Sequence, residues 1–364
     1  MNARILIVTG SYPPMRCGIG DYSCNLAKAL AADPEIHIGV LTSACVGKIS
    51  NSVGIDFFPI IKKWNFAEIL KFIKIIRSWK PDIVHIQYPT QGYGKGFLPW
   101  ILPMVSFMMK KKIIQTWHEG YGRRNAPQLF LKSIVPGGLI LVRPNFKENL
   151  HPLLRWALWD KKPVLIPNAS VIPRIDLDEG QKNALRKQYL QGQQRLIVFF
   201  GFVYPHKGVE LLFEIADPAL DQIIVAGQID ENSSYSQKIK RIASSKSWLN
   251  KLTITGFLPA IEVAKLLTAA DAVILPFRTG AGEWNTSIHG AVLSGAFVIT
   301  TSLTKSGYDK KRNVYFAKVD DVQEMRSALV AYAGTRREYD VDIDVDEWRK
   351  IADEHCLLYK ISLS

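Results

Sequence analysis

The polar side chains best suited to binding chemistry are concentrated in residues 271–301. A short apolar run, residues 272–275, ends at a proline and is typical of a buried parallel strand. A glycine-rich loop follows, and Glu283 to Ser294 are predicted to form a helix. The first turn of that helix carries Asn285, Thr286 and Ser287. Free N–H groups and the helix dipole converge at such a start, which is typical of phosphate binding but equally of an ordinary strand–helix–strand crossover.

Two more side chains with useful chemistry follow predicted strands. His118 follows the run at residues 112–117, and Lys207 lies a short loop after the run at residues 196–200. Ligands of parallel α/β sheets bind at the carboxyl ends of the strands, so both positions suit a binding site. A histidine there can hydrogen-bond a ligand, and a lysine can neutralise an anion. A packed structural histidine and a solvated surface lysine are the simpler interpretations.

Strands alternate with helical segments along most of the chain, which predicts α/β architecture with parallel sheets covered on both faces. The alternation is interrupted at residues 167–195, which are polar and contain two prolines. We therefore predict two tandem Rossmann-like domains, residues 1–167 and 168–345, followed by a C-terminal helix within residues 346–364.

The loop after the first strand is rich in glycine. Residues 10–21 contain two prolines and three glycines, and Asp21 is the expected N-cap of a helix that begins at Tyr22. Gly18 and Gly20 in this loop would let backbone N–H groups approach a ligand closely. The spacing is not GxGxxG, so it predicts no dinucleotide cofactor.

The net charge of +13 comes entirely from the first half of the chain. Residues 1–165 contain 22 Lys and Arg against 9 Asp and Glu, whereas residues 166–364 contain 24 of each kind. A one-sided positive field favours a negative partner, such as anionic lipid, a phosphorylated substrate or nucleic acid. Nucleic acid is the least favoured, because no binding module and no groove-tracking stripe of charge are recognisable.

Lysines and aromatic side chains are interleaved in this basic half. The relevant positions are Lys62, Lys63, Trp64 and Phe66, then Lys71, Lys74 and Arg77, then the run PWILPMVSFMMKKK at residues 99–112. Such mixtures suit a lipid headgroup region and predict peripheral contact with an anionic membrane surface. A solvated basic face over a buried helix is the alternative.

The remaining bulk features favour a cytoplasmic protein. No stretch reaches the roughly 18–20 apolar residues of a membrane span, and no signal-peptide pattern precedes the first strand. The four cysteines have no metal-binding spacing and are expected to be reduced thiols. We therefore expect a cytoplasmic location, peripheral on the inner face of the membrane where the basic half binds lipid.

A series of segments resembles family 4 glycosyltransferases, the group that includes bacterial polysaccharide and phosphatidylinositol mannosyltransferases. In chain order they are PPMRCGIGDYSCNLAKAL, DIVHIQYP, IIQTWHE, LIPNAS, FFGFVYPHKGVELL, TGFLP, ADAVILPF and SGAFVITT. The resemblance covers nearly the whole chain. It implies the GT-B fold, in which two tandem Rossmann-like, doubly wound domains are followed by a C-terminal helix that crosses back to the first.

The resemblance implies a retaining glycosyltransferase of the hexosyltransferase type. Such an enzyme moves a sugar from a nucleotide-sugar donor to a hydroxyl of a glycan or lipid-linked acceptor, here in bacterial cell-surface polysaccharide synthesis. The second domain would bind the donor and the first the acceptor, across a cleft between them. No cofactor and no metal are implied.

The resemblance also implies roles for individual residues. Lys207 would stabilise the departing diphosphate, and His118 would contact the donor sugar or the acceptor. The family's arginine five residues before the lysine is replaced by Phe202, so Arg278 is its expected substitute. Gly18 and Gly20 would approach the donor phosphates from the first domain.

The usual pair of glutamates eight residues apart is missing, because Gly282 and Gly290 occupy those positions. The stretch is similar instead to a subset with the pattern G-x-x-E-x-x-x-S-x-x-x-A-x-x-x-G. Glu283 is then the residue expected to meet the donor sugar. The diphosphate would be held by Asn285, Thr286 and Ser287.

These departures support a second hypothesis, a catalytically lapsed GT-B protein that binds or scaffolds in a glycan-assembly complex. Stabilisation by nucleoside diphosphates would separate the two, since a lapsed protein need bind none of them. A third hypothesis, an oxidoreductase with two nucleotide folds, is disfavoured because no GxGxxG follows the first strand.

Overall fold

The computed structural model describes residues 2–47, 53–119, 126–143, 150, 152–158, 161–282, 284–338, 340 and 346–364. The chain divides into two α/β units. One comprises Met1–Ala169 with Asp346–Ser364, and the other Ser170–Val345. The boundary expected between residues 167 and 168 lies two residues before this division.

The first unit is built on a sheet of parallel strands, seven of which are described. In chain order these are β1 (Ala3–Val8), β2 (Ile36–Ser43), β3 (Ile55–Ile61), β4 (Ile83–Tyr88), β5 (Lys112–Trp117), β6 (Gly138–Leu141) and β7 (Val164–Leu165). They lie side by side in the order β3-β2-β1-β4-β5-β6-β7. Every residue of β4 is buried, because a central parallel strand is covered on both faces.

Helices cover both faces of this sheet. They are α1 (Gly18–Ala31), α2 (Ile69–Trp79), α3 (Leu98–Met108), α4 (Ala126–Ser133) and α5 (Pro152–Ala157). Leu26 and Leu30 of α1 pack on one face. Phe72 of α2, Leu102 of α3 and Leu154 of α5 belong to the core on the opposite face.

The predicted start of α1 is wrong. The helix begins at Gly18 with Cys17 in the extended N-cap position, so Asp21 lies in the first turn and is not the cap. Gly18 and Gly20 are therefore the beginning of the helix and not part of a loop. Two glycines lower helix propensity, and tertiary packing overrides that preference here.

The second unit repeats the architecture. Its strands are β8 (Arg195–Phe200), β9 (Asp221–Ala226), β10 (Leu252–Ile254), β11 (Ala272–Leu275), β12 (Val298–Thr301), β13 (Gly307–Asp309) and β14 (Val314–Ala317). Their order is β10-β9-β8-β11-β12-β14-β13, and only β13 among these is antiparallel to its neighbour. The helices are α6 (Glu179–Tyr189), α7 (Leu212–Ile215), α8 (Ser234–Ala243), α9 (Ala260–Ala269), α10 (Thr286–Leu293) and α11 (Val322–Tyr332).

The C-terminal helix α12 (Glu347–Leu363) belongs to the first unit. Its buried side chains are Ile351, Ala352, His355 and Tyr359, which lie on one side of the helix. Of the helices that the structure describes, none has the length and apolar character to cross a membrane.

Both sheets confirm the predicted tandem Rossmann-like architecture. In each, the strand order reverses beside the first strand, between β1 and β4 and between β8 and β11. The loops that leave the carboxyl ends of such a strand pair diverge to opposite faces and leave a crevice that binds ligands. The site residues expected from the sequence must therefore be located relative to these two strand pairs.

Candidate functional site

Lys207 lies on the loop that leaves β8, at the end of a short 3-10 turn, Pro205–Lys207. Gly208 follows with φ +65°, and a Cβ there would lie 2.2 Å from the carbonyl oxygen of Pro276. Only glycine allows this approach, which holds the Lys207 loop against the end of β11. The Lys207 ammonium lies 4.5 Å from the centre of the Phe277 ring, a cation–π contact.

Arg278 lies on the loop that leaves β11, next to the Lys207 loop. Its N–H donates to the carbonyl oxygen of His206 at 3.0 Å. Its guanidinium forms ion pairs with Glu210 at 2.7 Å and with Asp320 at 2.6 Å. The hydrogen bond to Glu210 raises the pKa of Arg278. The predicted substitute cation is thus brought beside Lys207, but two carboxylates offset its charge.

Glu210 is itself held by a neighbouring phenol. The Tyr235 hydroxyl donates to Glu210 Oε2 and accepts the N–H of Val209 at 2.9 Å. Glu210 is buried while the Arg278 side chain is 36% exposed. The hydrogen bond from Tyr235 holds the Glu210 carboxylate in place, and the ion pair with Glu210 in turn holds the Arg278 guanidinium after the end of β11.

Aromatic rings occupy the position where the family's arginine was expected. Phe202 stacks on Tyr204 with ring centroids 5.7 Å apart, and Tyr204 stacks on His206 at 5.8 Å. The loop before Lys207 therefore contains three stacked aromatic rings and no second cation.

The helix α10 begins at Thr286, later than the predicted start at Glu283, with Asn285 as the N-cap in an extended conformation. Asn285 Oδ1 accepts the N–H of Gly282 at 2.9 Å, which closes the preceding loop. Thr286 and Ser287 are half-buried in the first turn, where helical N–H groups lack intrahelical partners. Glu283 lies outside the described residues.

The two positions of the family's glutamate pair are occupied by glycines with filled surroundings. A Cβ at Gly290 would lie 3.0 Å from the Ser170 hydroxyl and 3.2 Å from Ile172. A Cβ at Gly282 would lie 2.2 Å from the ring of Trp284. Both contacts at Gly290 are tighter than ordinary van der Waals distance, so Ser170 and Ile172 would have to shift to admit a carboxylate side chain.

In the first unit, His118 follows β5 and is 4% exposed. Its Nε2–H donates to Oε1 of Gln87 on β4 at 2.8 Å. The ring meets Tyr22 of α1 edge-on, with centroids 4.6 Å apart. Burial lowers the pKa of His118 to about 3, so the imidazole is neutral at pH 7.

A line of buried polar groups continues from His118 to α12. The side-chain N–H of Gln87 donates to Nε2 of His85 at 3.1 Å, and Nδ1–H of His85 donates to the Tyr359 hydroxyl at 2.7 Å. The Thr116 hydroxyl also donates to His85 Nε2, at 2.8 Å. With the amide of Gln87 in this orientation, His118 carries its proton on Nε2 and His85 carries its proton on Nδ1.

Sequence reasoning missed His85 and Tyr359 as parts of this line. A weak signal was present, because His85 and Gln87 are two residues apart on a strand and so face the same side. Tyr359 carried no such signal, since it comes from a helix 274 residues further along the chain.

Gly18 and Gly20 lie at the start of α1, in the same unit as His118. A Cβ at Gly20 would lie 3.1 Å from the carbonyl carbon and oxygen of Ser11, so close packing explains that glycine. A Cβ at Gly18 would meet no heavy atom within 4 Å among the described residues. The backbone at Gly18 is therefore open to an approaching group.

Among the residues that the structure describes, no three His, Cys, Asp or Glu side chains are grouped as a metal site would require. Lys207 and Arg278 are brought together in the second unit, around the ends of β8 and β11, and α10 begins eight residues after Arg278. His118 and the two glycines are brought together in the first unit.

Comparison with known proteins supports the fold and one sequence family. Residues 194–334 match the family model for glycosyl transferases group 1, a region that lies within the second unit. A comparison with curated protein sequences gave no match.

Several solved structures are similar over nearly their whole length. They include sucrose-phosphate synthase from Thermosynechococcus elongatus (TM-score 0.66, 15% identity, 99% of this chain and 97% of that one). Anabaena Alr3699/HepE in complex with UDP and glucose gives a TM-score of 0.66 at 14% identity, covering 99% and 97%. The catalytic domain of Arabidopsis thaliana starch synthase IV, bound to ADP and acarbose, gives 0.69 at 14% identity, covering all of both chains. The chain therefore has the GT-B fold, and its second unit has the sequence pattern of group 1 glycosyl transferases.

Proposed function

We propose that the protein is a retaining family 4 glycosyltransferase of the variant subset without the glutamate pair. It transfers a hexosyl group from a nucleotide-sugar to a hydroxyl of a glycan or lipid-linked acceptor, in cell-surface polysaccharide synthesis. The observation that carries the proposal is the coincidence of the group 1 match with two cationic loops on the switch-point strands of the same unit. Those loops carry Lys207 and Arg278.

The chemistry follows from charge. When the sugar leaves, negative charge grows on the oxygens of a nucleoside diphosphate, and fixed cations and N–H groups stabilise it. Lys207 supplies an ammonium group on one of the two loops, and Arg278 on the other adds a guanidinium held by Glu210. The N–H groups of Thr286 and Ser287 at the start of α10 suit the same phosphates. UDP and ADP are the nucleotides named with two of the similar structures.

The proposal also gives roles to His118 and Glu283. His118, neutral and fixed in one tautomer, contacts a sugar hydroxyl and does not act as an acid. Glu283 meets the donor sugar, and Glu283→Gln is expected to lower the rate without changing thermal stability. An unchanged rate would remove Glu283 from the site.

Binding of nucleoside diphosphates tests the proposal most directly. Thermal shift and calorimetry with UDP, ADP, GDP and TDP should show one nucleotide that stabilises the protein, and Lys207→Ala should abolish that stabilisation. Transfer with the matching nucleotide-sugar is then followed by NMR of the product, where a retained anomeric configuration is expected. An inverted product would contradict the retaining mechanism.

A catalytically lapsed GT-B protein is the second candidate, and the packing at Gly290 favours it. A family carboxylate cannot occupy that position without displacing Ser170 and Ile172. This candidate predicts that no nucleoside diphosphate stabilises the protein and that no nucleotide-sugar is turned over. Stabilisation together with turnover would reject it.

A further inference from the structure

The helix α3 (Leu98–Met108) is apolar on its solvent side as well as on its core side. Leu98, Leu102 and Ser106 are buried against the sheet. The opposite side contains no charged residue. It carries Phe97, Ile101, Met104, Phe107 and Met108, of which Met108 is 76% and Phe107 52% exposed. A surface helix of a monomer normally presents polar residues there, so this face is suited to an apolar environment.

The apolar face continues from α3 to the start of α2. Phe97 stacks on Phe66 with ring centroids 5.4 Å apart, and Leu70 follows one helical turn after Phe66. Phe66 is 57% and Leu70 72% exposed. The two helices cover the same face of the first sheet, so these side chains form one surface, here termed the α2–α3 face.

Basic residues surround the α2–α3 face. Residues 57–118 contain ten Lys and Arg but only two acidic residues, Glu68 and Asp82. Glu68 is paired with Lys71 at 2.7 Å, and Asp82 accepts the N–H of Arg4, so neither offsets the exposed lysines fully. The exposed basic residues of this segment are Lys62, Lys63, Lys74, Arg77, Lys80, Lys95, Lys110 and Lys112.

We propose that the α2–α3 face docks on the surface of a bilayer that contains anionic lipids. The helix α3 lies in the plane of the interface, with Phe107 and Met108 inserted among the upper acyl chains and Lys95 and Lys110 in the headgroup layer. Apolar insertion combined with lysine attraction is what binds interfacial helices to anionic membranes. A protein partner would need matching acidic and apolar groups, whereas anionic lipid supplies both in one surface.

The structure changes which residues carry this contact. Trp64, expected at the membrane from the sequence, is 3% exposed and donates its indole N–H to Ser43. Lys71 is engaged with Glu68 and the carbonyl oxygen of Ile60. The membrane contact is therefore assigned to Phe66, Leu70 and the outer side of α3, and not to the Trp64 cluster.

Vesicle co-sedimentation of the full chain tests the proposal without any donor or acceptor, so its result is independent of the glycosyltransferase proposal. The vesicles are phosphatidylcholine alone or phosphatidylcholine with about one-third phosphatidylglycerol. We expect binding at least tenfold stronger to the anionic vesicles. The double variant Phe107→Ser/Met108→Ser should lose at least tenfold, and Lys95→Glu/Lys110→Glu should lose at least as much and abolish the preference for anionic lipid.

Matched controls come from the second unit. Leu303 and Val330 are 77% and 71% exposed, so Leu303→Ser/Val330→Ser removes comparable exposed apolar surface. Lys246→Glu/Lys238→Glu makes the same change in net charge as the lysine variant of the face. Both controls should bind vesicles like the wild type, and thermal melting verifies that every variant is folded.

Three outcomes would overturn the proposal. The first is equal binding of the wild type to neutral and anionic vesicles. The second is wild-type binding by either variant of the face. The third is concentration-dependent self-association, seen by sedimentation velocity and lost in Phe107→Ser/Met108→Ser, since it would assign the face to a second copy of the chain.

Discussion

The two units order their first five strands alike, but they carry opposite kinds of polar groups on and after their central strands. At the β4–β5 ends of the first unit, His118, Gln87 and His85 are buried, uncharged and hydrogen-bonded to one another. At the β8–β11 ends of the second unit, Lys207, Arg278 and Asp320 are charged and partly exposed. The central strands thus carry a neutral, buried hydrogen-bonded group in the first unit and a charged, partly exposed group in the second.

This difference indicates what each unit suits. An edge that carries Lys207, Arg278 and helical N–H groups matches a diphosphate, whose charge must be neutralised. A neutral network with fixed tautomers matches hydroxyl groups, which are recognised by the direction of hydrogen bonds and not by charge. Substitutions that change one side of this contrast at a time test it.

Lys207→Ala should have the largest effect. Removing a group that stabilises developing charge costs about 10²–10³ in rate, so transfer should fall by that factor. Initial rates with the nucleotide-sugar identified by binding measure the loss. Lys246→Ala removes an exposed lysine of the same unit and should leave the rate unchanged. A rate loss below about threefold in Lys207→Ala would exclude the cation from catalysis.

Acidification should destabilise the first unit. Burial lowers the folded-state pKa of His118 to about 3 and that of His355 to about 4, whereas an unfolded histidine titrates near 6.5. Between these values the unfolded state binds more protons, so stability falls as pH falls below about 6.5. At pH 5 each buried histidine should cost about 2 kcal/mol relative to pH 7.5, measured by urea unfolding.

His355→Leu separates this effect from general acid denaturation. His355 Nε2 is buried without a hydrogen-bond partner among the described residues, so an apolar side chain of similar size is tolerated. The difference in unfolding free energy between pH 7.5 and pH 5 should shrink by about 2 kcal/mol. His206→Leu changes an exposed histidine and should preserve the wild-type difference. If both variants preserve it, His355 is not responsible for the acid sensitivity.

Gln87→Leu tests whether the buried hydrogen bonds that run from His118 to α12 position His118. It leaves the Nε2–H of His118 without an acceptor, which should cost about 1–3 kcal/mol of stability. Because the tautomer is no longer fixed, the rate should fall about tenfold, in kcat more than in KM. Gln115→Leu is the matched control, since Gln115 is equally buried on β5 but bonds Lys132 and Trp117. Equal kinetic losses in both variants would show that the hydrogen bonds of Gln87 have only a structural role.

The sequence was sufficient for the fold because the periodic signals were strong. Apolar runs such as residues 196–200 and 272–275 form central strands, and the burial of β8 and β11 matches that reading. The strands at the sheet edges were harder to predict, because β3 is half-buried along most of its length and β13 has only three residues. Neither position gives the uninterrupted apolar run by which a covered strand is recognised.

The site was predictable only where it depends on local chain geometry. Lys207 and Gly208 follow a strand and need nothing distant to be recognised. Asp320, which pairs with Arg278, comes 42 residues later and after a different strand. The replacement of the glutamate pair was visible as Gly282 and Gly290. The contact of Gly290 with Ser170 and Ile172, which gives the physical reason, could be seen only in the folded structure.

The smallest expected effect concerns the carboxylates that offset Arg278. Asp320 has φ +61°, a conformation that asparagine adopts as readily as aspartate, so Asp320→Asn keeps the backbone and removes one negative charge. The ion pair is partly exposed, so its loss should cost less than about 1 kcal/mol of stability.

Removing that charge leaves Arg278 paired with Glu210 alone. Its net attraction for a diphosphate should rise, and the dissociation constant should fall about two- to fivefold by calorimetry at low salt. Glu231→Gln removes one negative charge from an exposed pair with Lys240 in the same unit, so it controls for net charge. Equal gains in both variants would indicate a long-range field. A gain confined to Asp320→Asn would place the diphosphate beside Arg278, where the second unit differs most from the neutral edge of the first.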